Sequence, residues 1–561
     1  MSIVPSAPQD QERTPVTFII WAGWAFTIFI FQLIHFAFPL TFLSVSPVLI
    51  LGIVLSVFFI IRQYRRQKKT LNSGVWAFSH AAVLTFLALL LLILSAWVAS
   101  RAMLPPLLNG DIGLYYLGTV HWINSFPVVP GLGNLHGRLA FNQSFFSYVA
   151  ALNLYPFFGH GRSIANSFLW LLTLLTLLEV LKEKHIDRLS LWHWAPALFC
   201  IPSLAYWALF YDGLQSSSPD LTSSFLQLVM FVVFCRGVAV FVDSAAVAKN
   251  DGLLLLLLGM TAITVKLSNL VFCGTIMLLT FIAYVRTSTR PLLNSAQLLV
   301  LPALIIIVFC IRGVILSGAP LYPSTIGYIN AEWSVPIDKV IDMATDVYSH
   351  ARMQKYDSNV LENWDWLAPW FDRIKSRGTD IVYPVGLFLS LSLLNIFVAI
   401  FLKTNSKDRL FIHGILLLPL LTGLTFWFAM APNPRFVQEL FFLLPIPGLS
   451  FLVVDLQKRV NSMVVICVLL IVGNFNLLDW TSLHIETFTD ISRNGYWPVR
   501  LVPVSQKITQ KFMKSGLQIY VPKNNDNRCW DAPLPCTPYF NENLRLRDPN
   551  DMSSGFTIFR K

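Results

Sequence analysis

The sequence predicts an all-α membrane protein with many spans and a small domain at its C-terminal end, on three observations. Of its 561 residues, 55% are hydrophobic and only 13% are charged. Apolar runs recur along the chain at the length a helix needs to cross a bilayer, about 20 residues. Beyond residue 478 the composition turns polar, with Asn, Asp and Pro punctuating short β-type runs such as LQIYVP and GFTIF.

The first apolar run, Val16 to Phe38, comes after polar residues and is long enough to remain in the membrane, so no cleaved signal is expected. With a second run at 42–61 it makes an N-terminal pair of spans within residues 1–74. Residues 75–478 are the expected core, with spans at 75–99, 162–181, 191–210, 220–240, 252–265, 267–285, 292–313, 381–402, 410–430, 436–455 and 461–478. The stretch 252–285 is too long for one span and short for two, and Lys266 breaks it, so it reads as two short or re-entrant helices. Thirteen spans result.

Lys and Arg near span ends stay in the cytoplasm. Arg62, Arg65, Arg66, Lys68 and Lys69, then Lys182, Lys184 and Arg188, Arg286 and Arg290, Lys403, Lys407 and Arg409, and Lys458 and Arg459 fall on one side. The N-terminus is then inside. Loops 101–161 and 314–380 and the tail 479–561 are outside, the tail as a small α/β domain. The net charge of +11 stems from this bias and a basic tail. No basic and aromatic run suggests a nucleic-acid surface.

Cys200, Cys235, Cys273, Cys310 and Cys467 fall in spans and count as small apolar residues. Cys529 and Cys536 stand in the tail, within CWDAPLPC. A disulfide there suits an oxidising compartment. The other reading, a metal pair, lacks two further ligands.

Chemistry-bearing residues gather at the outer span ends. In NGDIGLYYLGTVHWI, Asp111, Tyr115, Gly118 and Trp122 recur at spacings of four, three and four, the face of an amphipathic helix on the membrane surface. Asp111 has two readings, a helix cap or an acid facing a cavity. After a turn at Pro127 to Gly133 come His136, Arg138, Asn142, Gln143 and Ser144, polar groups that need partners among apolar neighbours. Here the structural readings are a hydrogen-bonded histidine, a snorkelling arginine and a chance N-glycosylation triplet. Asp220 opens the sixth span, again a cap or an acid. Lys266 stands at the apolar break, and Arg435 comes after two prolines in APNPRF, with Glu439 one turn on as a salt-bridge partner. Acids and cations at neighbouring outer ends suit a reaction in which an anion leaves while a hydroxyl loses its proton.

This order of a long span, an outer loop opening with an acid and Tyr, and many further spans resembles the GT-C superfamily of membrane glycosyltransferases over about residues 75 to 455. GDIGLYYLGTVHWI, VPGLGNLHGRLAFNQSFF, GAPLYPS, APNPRF and CWDAPLPCTPY resemble a family of large bacterial multi-spanning proteins over most of the chain. The resemblance implies transfer of a sugar from a polyprenyl-phosphate donor to a glycan, lipid or protein acceptor at the outer face of a bacterial inner membrane. It makes Asp111 the base and Asp220 its assistant or a metal ligand. Lys266, Arg435 and Arg138 would bind the donor phosphate, and Tyr115, Trp122, His136 and Asn142 would line the sugar and acceptor site. No D-x-D is present, so a divalent metal stays open and no cofactor is assigned. Two other classes compete: an O-antigen polymerase or ligase with its chemistry in 314–380, and a non-enzymatic transporter of lipid-linked glycan. Scarce charges within the spans speak against the transporter.

Overall fold

A computed structural model describes residues 14–67, 110–159, 161–181, 196–201, 204, 214, 216–237, 249–287, 291–402, 406–456, 508–523 and 527–559. Among them, six helices are long and apolar enough to cross a membrane: Val16–His35, Gly161–Leu181, Pro219–Gly237, Leu267–Arg286, Ala296–Ser317 and Phe411–Met430. Shorter apolar helices run over Phe42–Phe58, Asn250–Val265, Tyr383–Phe397 and Glu439–Phe451. Helices suit such sequences because a helix bonds its backbone polar groups within itself, which an apolar medium demands. The expected spans at 75–99 and 461–478, and about two thirds of 191–210, lie outside the described residues.

Burial sorts the helices. In Pro219–Gly237 every residue from Leu221 to Cys235 is buried, so this helix runs through the middle of the bundle. Val300, Leu304, Ile307 and Ile311 instead form an exposed apolar stripe at helical spacing on the Pro291–Ser317 helix, a face fit for lipid. At Lys266 the chain breaks as expected. Lys249–Val265 ends, Lys266 is extended with φ −156°, a 3₁₀ turn covers Leu267–Asn269, and Leu270–Thr287 packs back on the first helix.

The segment after Asp111 departs from expectation. Ile112 to Leu117 are all buried, so this is no surface helix with one wet side. Ile112–Tyr116 forms a π turn in which the Leu117 N–H reaches back to the Ile112 carbonyl, before an α-helix over Leu117–Ser125. The wider turn inserts a residue into the helical register and rotates the residues beyond it, which splits the anticipated face. The turn near Gly131 is present, with Gly131 at φ +63° and no room for a side chain against the Phe556 and Trp333 carbonyls. Beyond it come short helical pieces at Leu132–Leu135, Gly137–Ala140 and Phe145–Leu152.

The described part of the tail is β-structured; residues 479–507 of the expected α/β domain lie outside the described residues. Strands β1 (Ile508–Phe512) and β2 (Gln518–Pro522) pair antiparallel, as do β3 (Leu544–Asp548) and β4 (Asp551–Ile558). LQIYVP and GFTIF supply β2 and β4, where alternating apolar residues such as Ile519, Val521 and Phe556 are buried. Cys529 and Cys536 are joined in a disulfide. The tail docks on the 110–140 segment: the Phe556 N–H donates to the Pro130 carbonyl at 2.9 Å, and the Thr537 hydroxyl to the Leu135 carbonyl at 2.9 Å. Trp530, Leu544 and Phe556 share one continuous apolar core with Trp21, Phe146 and Phe225 of the bundle.

Candidate functional site

Asp111 stands where the π turn begins. Its backbone is already helical and its side chain makes no hydrogen bond that caps the π turn. One oxygen, Oδ2, lies 2.8 Å from Arg435 Nη2, and the other, Oδ1, 3.6 Å from Arg138 Nη1. Asp220 sits in the first turn of the central helix. Its own N–H bonds the Ser218 hydroxyl, which leaves its carboxylate to pair with the Lys266 ammonium and to lie 3.7 Å from Arg435 Nε. Arg435 thus bridges the two acids with its fork of donors.

Local structure explains each placement. The extended break presents Lys266 at a helix junction, where its ammonium rests 4.0 Å over the Phe436 ring. Arg435 lies on a 3₁₀ turn set up by Pro434 and by Asn433, whose side chain accepts the Arg435 N–H. Two indoles brace that turn: Trp370 donates to the Pro432 carbonyl at 2.6 Å and Trp427 to the Asn433 carbonyl at 2.8 Å. Arg138 comes after the Gly131 turn and also holds Asp346, from the helix Ile337–Met353, at 2.9 Å. His350, one turn further, has Nδ1 3.0 Å from Asp346.

Three carboxylates and three cations therefore meet from widely separated parts of the chain. The side chain of Arg435 is 44% exposed while Asp111 and Lys266 are at 13% and 11%, so the cluster opens at Arg435. Burial opposes the charge on Arg435, but Asp220 and Asp111 outweigh it and push its pKa up. Burial draws the Lys266 ammonium down against the pull of Asp220. Tyr115 and Tyr116 pack edge to face, their centroids 4.6 Å apart, and burial first, then the neighbouring negative groups, hold both phenols far above their ordinary value. They are neutral walls beside the charges.

Other expected residues fall elsewhere. Trp122, turned away by the π register, packs on Phe126 and on Phe556 of the tail. His136 is buried against Tyr539, with neither ring nitrogen bonded among the described residues, and burial depresses its pKa to about 3. Asn142 is buried at φ +53°; it donates to the Phe309 carbonyl and accepts from Arg312, which also bonds His35. That burial removes it as a glycosylation acceptor in the folded chain. Glu439 is buried rather than paired with Arg435, which has turned to the aspartates.

Asp346 and Tyr116 belong to the constellation and had no distinguishing signal in the sequence. Asp338, Asp342 and Asp346 recur every fourth residue on one helix, and only tertiary packing selects the third. Among the described residues no three of His, Cys, Asp and Glu gather as a metal set. Asp111 and Asp220 spend their oxygens on guanidinium and ammonium groups instead.

Residues 3–442 match the model of a family described as a domain of unknown function, DUF8201, and the chain belongs to that family. No curated protein and no solved structure matches it.

Proposed function

We propose that this DUF8201 protein is a membrane glycosyltransferase of the GT-C type, with thirteen spans and its N-terminus in the cytoplasm. It would move a sugar from a polyprenyl-phosphate donor to an acceptor hydroxyl at the outer face of a bacterial inner membrane. The observation that supports this reading is the convergence of Asp111 and Asp220 with Arg435, Lys266 and Arg138 in one partly open cluster beside apolar helices.

The chemistry runs as a displacement. The acceptor oxygen attacks the anomeric carbon, the bond from that carbon to the phosphate oxygen breaks, and the polyprenyl phosphate leaves with the electron pair. The acceptor proton passes to the Asp111 carboxylate. Arg435, the exposed cation, meets the phosphate first. Lys266 and Arg138 complete its neutralisation, since charge-assisted hydrogen bonds to phosphate are stronger than neutral ones. An incoming phosphate competes with the aspartates for these cations and so frees a carboxylate oxygen for the hydroxyl. Asp220 keeps Lys266 in place.

Asp111→Asn tests the reading. Loss of a general base costs about 10²- to 10⁴-fold in rate, while Asn keeps the shape and can still accept a hydrogen bond from Arg435. Transfer from a polyprenyl-phosphate hexose should collapse in membranes containing the variant at normal abundance. Full activity in Asp111→Asn would discard the assignment and move the polymerase reading, with its chemistry in 314–380, ahead.

A further inference from the structure

The π turn next to Asp111 has an identifiable cause. In an unbroken α-helix the Leu117 N–H would bond the Gly113 carbonyl. Here it bonds Ile112 instead, and the Gly113 carbonyl accepts the N–H of Trp530 from the tail at 2.9 Å. Gly113 also has no side chain where one would strike the Trp530 indole. Trp530 itself holds a left-handed backbone, φ +48°, a conformation that a non-glycine residue adopts only at a cost. Three restraints keep it there. The Cys529–Cys536 disulfide closes the loop around it, Asp531 pairs with Arg162 at 2.6 Å, and the loop lies against Leu114, Gly118, Trp122 and His136.

We propose that Trp530, held by the disulfide-closed loop 529–536, is a positioning residue for the charge cluster. Asp111 lies two residues before the diverted carbonyl, and Tyr115 and Tyr116 lie two and three after it. When the loop is released, the Leu117 N–H rebonds to the Gly113 carbonyl and the helix slips by one residue. Since each residue turns an α-helix by about 100°, Asp111 then loses its alignment with the tyrosines and with Arg435. The tail thereby makes the site dependent on an oxidising compartment. The catalytic consequence rests on the proposed transferase reading; the structural one does not.

The test uses the full chain in lipid nanodiscs, as wild type, as the double variant Cys529→Ser/Cys536→Ser, and as Gly113→Ala, which keeps the disulfide but displaces the indole. Amide exchange at Trp530, whose N–H loses the Gly113 carbonyl when that carbonyl takes the Leu117 N–H, should rise about tenfold or more in both variants, with 221–235 unchanged. In the transferase assay, kcat should fall at least tenfold while the donor KM stays within threefold, because Lys266 and Arg435 stand on other elements. Adding Trp530→Gly to Gly113→Ala removes the clash, keeps the backbone N–H and suits the left-handed position, so it should restore both protection and kcat. A role in bulk folding alone would give neither the split between kcat and KM nor this rescue. Exchange at Trp530 within twofold of wild type in Gly113→Ala would overturn the proposal, whatever the activity. If exchange rises as expected but the wild type transfers no sugar, the positioning stands and the transferase reading falls.

Discussion

Lowering the pH should loosen the docked tail through buried imidazoles at its interface, His136 foremost. Beside it is His121, which faces Asp531 and the Ala532 backbone and is also depressed by burial. His136 is 3% exposed, faces the ring of Tyr539 and has its pKa held near 3 by burial, with the Arg138 charge acting in the same direction. Once the tail leaves, the ring meets water and returns to about 6.5. The depressed value means that the docked state refuses a proton the undocked state accepts. Docking is therefore at full strength above pH 6.5 and weakens as pH falls towards 3. Between pH 7 and pH 4 the linkage amounts to about 3 kcal/mol, or a rise of about two hundredfold in the undocked population. The assay is amide exchange at Trp530 and Phe556, whose N–H groups bond the Gly113 and Pro130 carbonyls across the interface, corrected for the intrinsic pH dependence of exchange. His136→Phe keeps an aromatic ring against Tyr539 and removes its titration, so the excess exchange at pH 4 should shrink to the part left by His121. Equal pH dependence in the variant and the wild type would refute the reasoning.

Three further predictions concern the cluster. Arg435→Lys keeps the charge but not the fork, and an ammonium cannot hold Asp111 and Asp220 as the guanidinium does; the donor KM should rise about tenfold, a loss of about 1.4 kcal/mol, and an unchanged KM would show that the bridge is dispensable. Trp370→Phe strips the hydrogen bond from the Pro432 carbonyl and should lower stability by about 1–3 kcal/mol, read as a drop in the thermal midpoint that Trp427 alone does not prevent. Asp346→Asn removes the nearer charge from Arg138 and turns it wholly to Asp111; transfer should fall severalfold at normal abundance, and full transfer would place Asp346 outside the working site.

The helices were legible from length and apolarity, and so was the break at Lys266, because a lone ammonium in a long apolar run has to interrupt it. The meeting of Asp111, Asp220, Lys266 and Arg435 was foreshadowed by a shared topological address, the ends of neighbouring spans. Asp346 carried no such mark, since a charged residue on a polar helix is ordinary until its partner is known. Trp122 misled for another reason. Spacings of four, three and four presuppose an α-helix, and the register is broken by a hydrogen bond from a residue more than 400 positions away. His136 and Asn142 were read as lining groups because polar side chains among apolar ones need partners. His136 lies under a tail whose docking no local pattern announces, and Asn142 serves Arg312 and the Phe309 carbonyl.

Charge balance within the cluster has its own consequence. Asp111, Asp220 and Asp346 match Arg138, Lys266 and Arg435 one for one, so the site is close to neutral before any substrate arrives. A phosphodiester brings a negative charge into surroundings where water is scarce and uncompensated charge is costly. Binding then depends on redistributing the existing pairs rather than on filling an excess of positive charge. The pair most easily redistributed is the exposed one, because solvent already screens Arg435 and weakens its hold on the aspartates, while Lys266 with Asp220 is sheltered. Donor affinity should accordingly fall with ionic strength through Arg435. In Arg435→Ala that salt dependence should flatten, and a slope unchanged from the wild type would place the phosphate elsewhere.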